Sequence, residues 1–193
     1  MKAWLKEMKT SIRAILALAL LLCGVYPAAV TLAGRSLFPA RADGSLIERD
    51  GVVAGSERIA QPFAGKGYFH PRPSAAGAGY DAMASGASNL GPTNRKLISA
   101  VKARVAQEVR VDGALSGQVP VDLVTSSGSG LDPDISPAAA YLQVARVARA
   151  RRLPEAQVRA LVAAHVTGRQ LGFLGEPRVN VLELNLALDQ LKG

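Results

Sequence analysis

From Ala14 to Gly34 the chain reads AILALALLLCGVYPAAVTLAG, 21 residues without a charged side chain. A helix that crosses a hydrocarbon core of about 30 Å needs roughly 20 apolar residues. The run therefore fits a membrane span, bracketed by Arg13 and Arg35. A cleaved signal peptide is the rival reading, because the terminus is basic and small residues follow, but signal h-regions run only about 7 to 15 residues. Pro27 sits inside the run; neighbouring helices can re-satisfy the backbone groups that a proline frees in a membrane. The expectation is an uncleaved anchor over residues 14–34, after a basic N-terminus of residues 1–13.

The flanks predict its orientation. Lys2, Lys6, Lys9 and Arg13 precede the span against a single Glu7, whereas Arg35 and Arg41 are followed by a mixture of Asp43, Glu48, Arg49 and Asp50. An excess of Lys and Arg belongs on the cytoplasmic side, so the N-terminus is expected inside and the rest outside. The formal charge of +8 then partly reflects topology. Residues 36–193 carry 18 basic and 14 acidic side chains, a mild excess that lacks the dense basic stripe of a nucleic-acid binder. The one cysteine, Cys23, lies in the span, which excludes an intramolecular disulfide and a CxxC metal site.

Residues 35–50 read as a juxtamembrane connection and 51–193 as an extramembrane domain. GVVAGSERIAQPF (Gly51–Phe63) suggests one or two short strands, and Ala75–Asn94 is a long Gly/Ala/Ser/Asn-rich loop; long loops in compact domains are usually functional or disordered. A helix is expected from near Thr93, with Leu97, Val101, Val105 and Val109 on one face and Arg95, Lys96, Lys102 and Arg104 turned away. QVPVDLVTS (Gln118–Ser126) alternates like a strand. Ser136–Pro137 is a helix start, with a basic end at Arg149, Arg151 and Arg152 that complements the macrodipole. A second helix begins near Pro154, carries Val158, Leu161, Val162 and His165, and ends at Gly168 and Gly172. NVLELNLALDQL (Asn180–Leu191) reads as a capped helix with Glu183 three residues after Asn180. Few strands, not regularly interleaved with helices, indicate α+β: one transmembrane helix followed by a single mixed domain.

The densest group of special residues is SSGSGLDPDISPAAA (Ser126–Ala140), and four chemistries compete for it and its neighbours. SGASNLGPT (Ser85–Thr93) has the spacing of a phosphate loop but proline where the motif needs lysine. Ser127 or Ser129 as a nucleophile lacks the GxSxG elbow, and only His70 and His165 are available as a base. Asp132 and Asp134 flank Pro133, yet the pattern departs from a calcium loop after the second acid. The fourth reading is a helix-capping loop whose Ser and Asp side chains bond local backbone. That explains its shape; close approach of another backbone or a ligand would explain why it needs so many special residues.

Three strings are more specific than any of these motifs: YFHPRPSAAG…YDAMASGASNLGPTN, PVDLVTSSGSGLDPDISPAAA and LGEPRVNVLELNLALD. In them the chain resembles the C subunit of the Kdp potassium-transporting ATPase, from the N-terminal span to Asp189. Asp134 stands where that family most often has His, and Ala60 where Gly is common. The resemblance implies a non-pumping subunit of a bacterial inner-membrane complex. Its partners would be a channel-like subunit that passes K+, a P-type ATPase subunit that hydrolyses ATP, a small fourth subunit and the lipid bilayer. It also implies an assigned chaperone-like role, raising the ATP affinity of the ATPase subunit in a transient ternary complex. No cofactor is expected to bind tightly; ATP would be reached through the ATPase subunit.

Under this resemblance Ser127, Gly128, Ser129, Gly130 and Asp132 are candidates for nucleotide contact or partner docking, and His70, Arg72, Asn89, Asn94, Glu176 and Arg178 for docking. The flanking charges place Ser127 in the periplasm, away from cytoplasmic ATP. The leading expectation is an outer domain that packs on the channel-like subunit near the K+ entrance and stabilises the assembly, with Gly24, Ala28 and Ala29 letting the span approach its neighbours. A nucleotide-binding chaperone and a free-standing anchored hydrolase are the alternatives.

Overall fold

The structure is a computed structural model that describes residues 2–191; the ends of the N-terminal and C-terminal segments at Met1, Lys192 and Gly193 lie outside the described residues. The chain divides into two units, residues 1–46 and 47–193.

The first unit is helical: α1 (Lys2–Ala19), a π-helical stretch (Leu20–Val25), α2 (Tyr26–Leu37) and the short α3 (Pro39–Ala42). Pro27 accounts for the π-helical stretch. Its ring would clash with the carbonyl four residues back, and it has no N–H to offer; a widened turn relieves this, with the Tyr26 amide donating to the Leu21 carbonyl, five residues back. Helix α2 stops at Leu37 because Pro39 pushes Phe38 out of the helical region, to φ −141° and ψ 59°. The stretch Ala3–Leu37 is long and apolar enough to cross a membrane, and none of its most apolar window is buried within the chain.

From the last residue of the first unit onward, β1 (Leu46–Arg49) and β2 (Val52–Ser56) form a two-stranded sheet. Asp50 and Gly51 join them with φ of 53° and 76°, the paired positive values of a tight hairpin turn. Strand β1 thus falls inside the segment read as a connection. A long run without regular elements leads to α4 (Arg95–Asp112); 3-10 turns follow at Ser116–Gln118 and Val121–Leu123. Then come β3 (Asp134–Ile135), α5 (Pro137–Arg151), α6 (Glu155–Ala164), β4 (Val166–Thr167), β5 (Arg178–Asn180) and α7 (Val181–Gln190). The sheet is antiparallel in the order β3-β5-β4, with Ile135 and Val166 both opposite Val179.

Helices α5 and α7 pack their apolar stripes on this sheet, and α6 packs on both helices. Ala139, Val144, Val147, Val158, Val162, Val179, Leu184 and Leu188 form the centre, joined by Phe69 and Ile135. Two starts follow the capping chemistry expected: Ser136 accepts from the Ala139 amide and Asn180 from the Glu183 amide. At the third, expected near Thr93, Asn94 is the cap and accepts from the Lys96 amide.

Three expectations are corrected. Gln118–Ser126 is not a strand: Pro120 has no N–H for a ladder, Val121 is exposed, and the Asp122 carboxylate accepts from the Ser136 amide at 2.6 Å and its hydroxyl at 3.1 Å. The 3-10 turn at Val121–Leu123 meets that demand. On α4 the inward face carries Arg104, which donates to the Val124 carbonyl at 3.0 Å, while Val109 is exposed; no residue of α4 is fully buried. Helix α6 ends at Ala164, before Gly168, because β4 begins at Val166 to pair with β5.

Candidate functional site

The Ser-Gly loop folds on itself and on the Ala75–Gly86 loop. Ser129 Oγ accepts from the Leu131 amide at 3.1 Å, and Ser127 Oγ from the Asp132 amide at 3.4 Å. Asp132 Oδ1 accepts from the Asp134 amide at 3.0 Å. The Ser129 carbonyl takes the Gly86 amide at 2.8 Å and the Ser85 hydroxyl at 3.1 Å. The Gly130 carbonyl takes the Ser74 hydroxyl at 2.6 Å, and Ser74 Oγ in turn accepts from the Ala76 and Tyr80 amides. Gly130 has φ +67°, and a Cβ there would lie 2.5 Å from the Gly86 oxygen and 2.7 Å from the Ala76 nitrogen. The close approach that a glycine makes possible is therefore made by the chain's own backbone. Gly128 faces open space.

Three of the remaining candidates, Arg72, Glu176 and Arg178, converge with this loop. Arg72 Nη1 donates to Asp132 Oδ2 at 2.8 Å, and Arg178 Nε to Asp134 Oδ2 at 2.9 Å. Arg72, Asp132, Glu176 and Arg178 line one open cleft of about 380 Å³. Arg72 Nε is buried without a partner among the described residues. Glu176 also holds Arg169 through both carboxylate oxygens, at 2.9 and 2.7 Å. His70, Asn89 and Asn94 do not line this cleft. His70 Nε2 contacts the Gly65 carbonyl at 3.1 Å, Asn89 is exposed with φ 51°, and Asn94 caps α4.

The electrostatics follow from burial. Burial pushes the Asp134 carboxyl up against the pull of Arg178. Burial, and then Arg146, lowers the His70 imidazole, which favours its neutral form. Burial and the neighbouring Asp112 raise Glu108 to about 7. Neither histidine meets a serine: His70 is on Gly65 and His165 Nδ1 on the Leu161 carbonyl at 2.8 Å. Nucleophilic catalysis requires a hydrogen-bonded nucleophile and base, and Ser127 and Ser129 have no such partner among the described residues. Nor do the described residues gather three or more His, Cys, Asp or Glu around a metal position.

A second polar constellation escaped the sequence reading. Residues 66–70 belong to no strand: the Tyr68 amide closes a turn on the Gly65 carbonyl at 3.0 Å, and side chains supply the other hydrogen bonds. Asn185 accepts from the Phe69 amide at 2.8 Å and donates to its carbonyl at 2.9 Å. Gln143 does the same for His70, at 2.7 and 3.2 Å. Arg146 donates to the Lys66 and Tyr68 carbonyls and to Gln143, and pairs with the buried Asp112 at 2.7 Å. Arg151 reaches the Gly67 carbonyl and Asp189, and lies over the Tyr68 ring at 4.5 Å. The available signal was a polar residue at an inward helical position: Asn185 lies one residue after Leu184 and three before Leu188 on α7.

Residues 8–190 match the family described as KdpC: K+-transporting ATPase, c chain. The chain is 64% identical to the potassium-transporting ATPase KdpC subunit of Gemmatimonas aurantiaca over 176 residues, 91% of this chain and 88% of the relative. It is 55% identical to that of Rhodospirillum rubrum over 186 residues, 96% of each chain. With that of Burkholderia vietnamiensis it shares 56% over 191 residues, 96% of this chain and 99% of the relative. An N-terminal helix fit to cross a membrane, a mixed α/β domain and identity above half over nearly the full length agree: the chain belongs to the KdpC family, accessory subunits of the K+-translocating ATPase.

Proposed function

We propose that this chain is a structural, non-pumping subunit with residues 1–13 in the cytoplasm, one span, and its outer domain in the periplasm. There the domain docks on the channel-like subunit near the K+ entrance and stabilises the assembly for ATP-coupled K+ import. The observation that carries this reading is where the Ser-Gly loop spends its polar groups. The Ser127 and Ser129 oxygens accept from the loop's own amides, and Gly130 seats the Ala75–Gly86 loop. A phosphate-binding loop keeps its amides for the ligand, whereas here the Gly86 amide is committed to Ser129. The cationic flank of Lys6, Lys9 and Arg13 supports the orientation. In this reading ATP stays with the ATPase subunit, and no cofactor is held here.

Topology tests it. Met83 is 95% exposed, so Met83→Cys with Cys23→Ala reports without disturbing the serine hydroxyls. In cells carrying the whole complex, labelling by a membrane-impermeant thiol reagent before lysis supports the periplasmic reading. Labelling only after lysis overturns it and restores the alternative, a chaperone that raises ATP affinity.

A further inference from the structure

Between β4 and β5 the chain makes an arm, residues 168–177, whose tip points three large apolar side chains at solvent. Leu171 is 83% exposed, Phe173 67% and Leu174 47%. Nowhere else among the described residues of the second unit do three exposed large apolar side chains fall within four positions. The arm is ordered from within. Gln170 and Leu174 exchange backbone hydrogen bonds, each 2.9 Å, and Arg169 pairs with Glu176 at the base. Leu171 has φ 53°, a conformation uncommon for a side chain other than Gly, Asn or Asp. A solvent-facing turn would ordinarily carry one of those three; leucine here spends conformational energy on keeping an apolar side chain at the apex.

We infer that this tip is the docking knob of the outer domain and inserts into a concave apolar pocket on the extramembrane face of another chain of the ATPase. The inference rests on the docking reading proposed above and names its surface. A convex apolar knob needs an apolar receptacle. A second copy is the less suitable host: one cleft of this chain's second unit is walled by Arg58, Asp134 and Arg178, and another is ringed by Lys66, Arg110, Arg146 and Arg149. A bilayer surface is also a poor match: interfacial elements combine apolar residues with a basic face, and the base of this arm is a neutral Arg–Glu pair. Three side chains bury far less than the roughly 800 Å² per partner of a stable free-standing interface. Such a contact suffices only for a partner already held nearby, as for chains anchored in one membrane complex.

The experiment uses the assembled complex, with Phe173→Cys in the Cys23→Ala background and a water-soluble thiol reagent. Reaction in the complex is expected to be at least about tenfold slower than in the full chain alone in detergent. Reporters at Val52, Met83 and Val121 accompany it, each well exposed in this chain. If Phe173→Cys reacts equally in both states while another reporter is protected, the domain docks elsewhere and the knob is refuted. If no reporter is protected, the docking reading fails with it. Protection that appears in the chain alone with concentration, or on adding phosphatidylglycerol vesicles, assigns the tip to self-association or to the bilayer and also refutes the knob. A second variant, Leu171→Asn with Phe173→Ser, suits the positive φ and removes the apolar surface. It should leave the complex about tenfold faster during detergent washing while the full chain unfolds at an unchanged temperature; unchanged retention overturns the proposal.

Discussion

Gly130→Ala and Gly128→Ala differ by two positions in one loop and should differ widely in effect. At Gly130 the backbone is left-handed, φ +67°, which costs an alanine about 1 kcal/mol. Its Cβ would also lie 2.5 Å from the Gly86 oxygen and 2.7 Å from the Ala76 nitrogen. Both are backbone atoms, so the 75–86 loop must move as a piece. Moving it strains or breaks the Gly86–Ser129 bond of 2.8 Å and the Ser74–Gly130 bond of 2.6 Å, each contributing about 1 kcal/mol. The sum is about 3 kcal/mol, a large fraction of the roughly 10 kcal/mol that stabilises a domain of this size. The melting temperature should fall by about 6–12 °C. Gly128 has open space and no positive φ, so its substitution should stay within about 0.5 kcal/mol. Thermal unfolding of the full chain in detergent micelles measures both. Equal shifts, or a larger one at Gly128, would refute the claim that Gly130 is a seat for the chain's own backbone.

Two further outcomes follow from the polar core. Glu108 is raised to about 7, so the folded chain holds a proton there that the unfolded chain gives up near pH 4.5. This term stabilises fully below pH 4.5 and is lost as pH rises through about 7. Glu108→Gln should remove that loss and stabilise the chain at pH 8 by about 1 kcal/mol, after discounting for its partial exposure. Urea denaturation of wild type and variant from pH 5 to pH 8 checks this; parallel curves would sink it. His70, lowered by burial, acts in the opposite sense, losing stability as pH falls below its ordinary value, and is common to both proteins. Asn185→Leu leaves the buried Phe69 amide and carbonyl without partners and should cost about 2–4 kcal/mol, read as a lower denaturation midpoint of the full chain.

The sequence by itself determined the apolar N-terminal helix, the helix starts at Ser136 and Asn180, the α+β class and the family. These are local quantities: a run of uncharged residues, a hydroxyl or amide beside a periodic stripe, and strings of unusual residues in order. The Asp50–Gly51 hairpin was equally local and was passed over. Tertiary structure alone decided what lies far apart in the chain. Alternation in Gln118–Ser126 gave way to turns because Asp122 is needed by Ser136, 14 residues on. Arg104, polar by type, faces inward on α4 because its partner is the Val124 carbonyl, 20 positions on. Segment 66–70 survives without a neighbouring strand because Gln143, Arg146 and Asn185 reach it across 73 to 116 positions. A glycine's freedom is visible in a sequence, but which backbone fills the space at Gly130 is set only when residues 75–86 arrive. Hydrogen bonding to buried backbone is obligatory, yet nothing in residue type or period says which distant group will supply it.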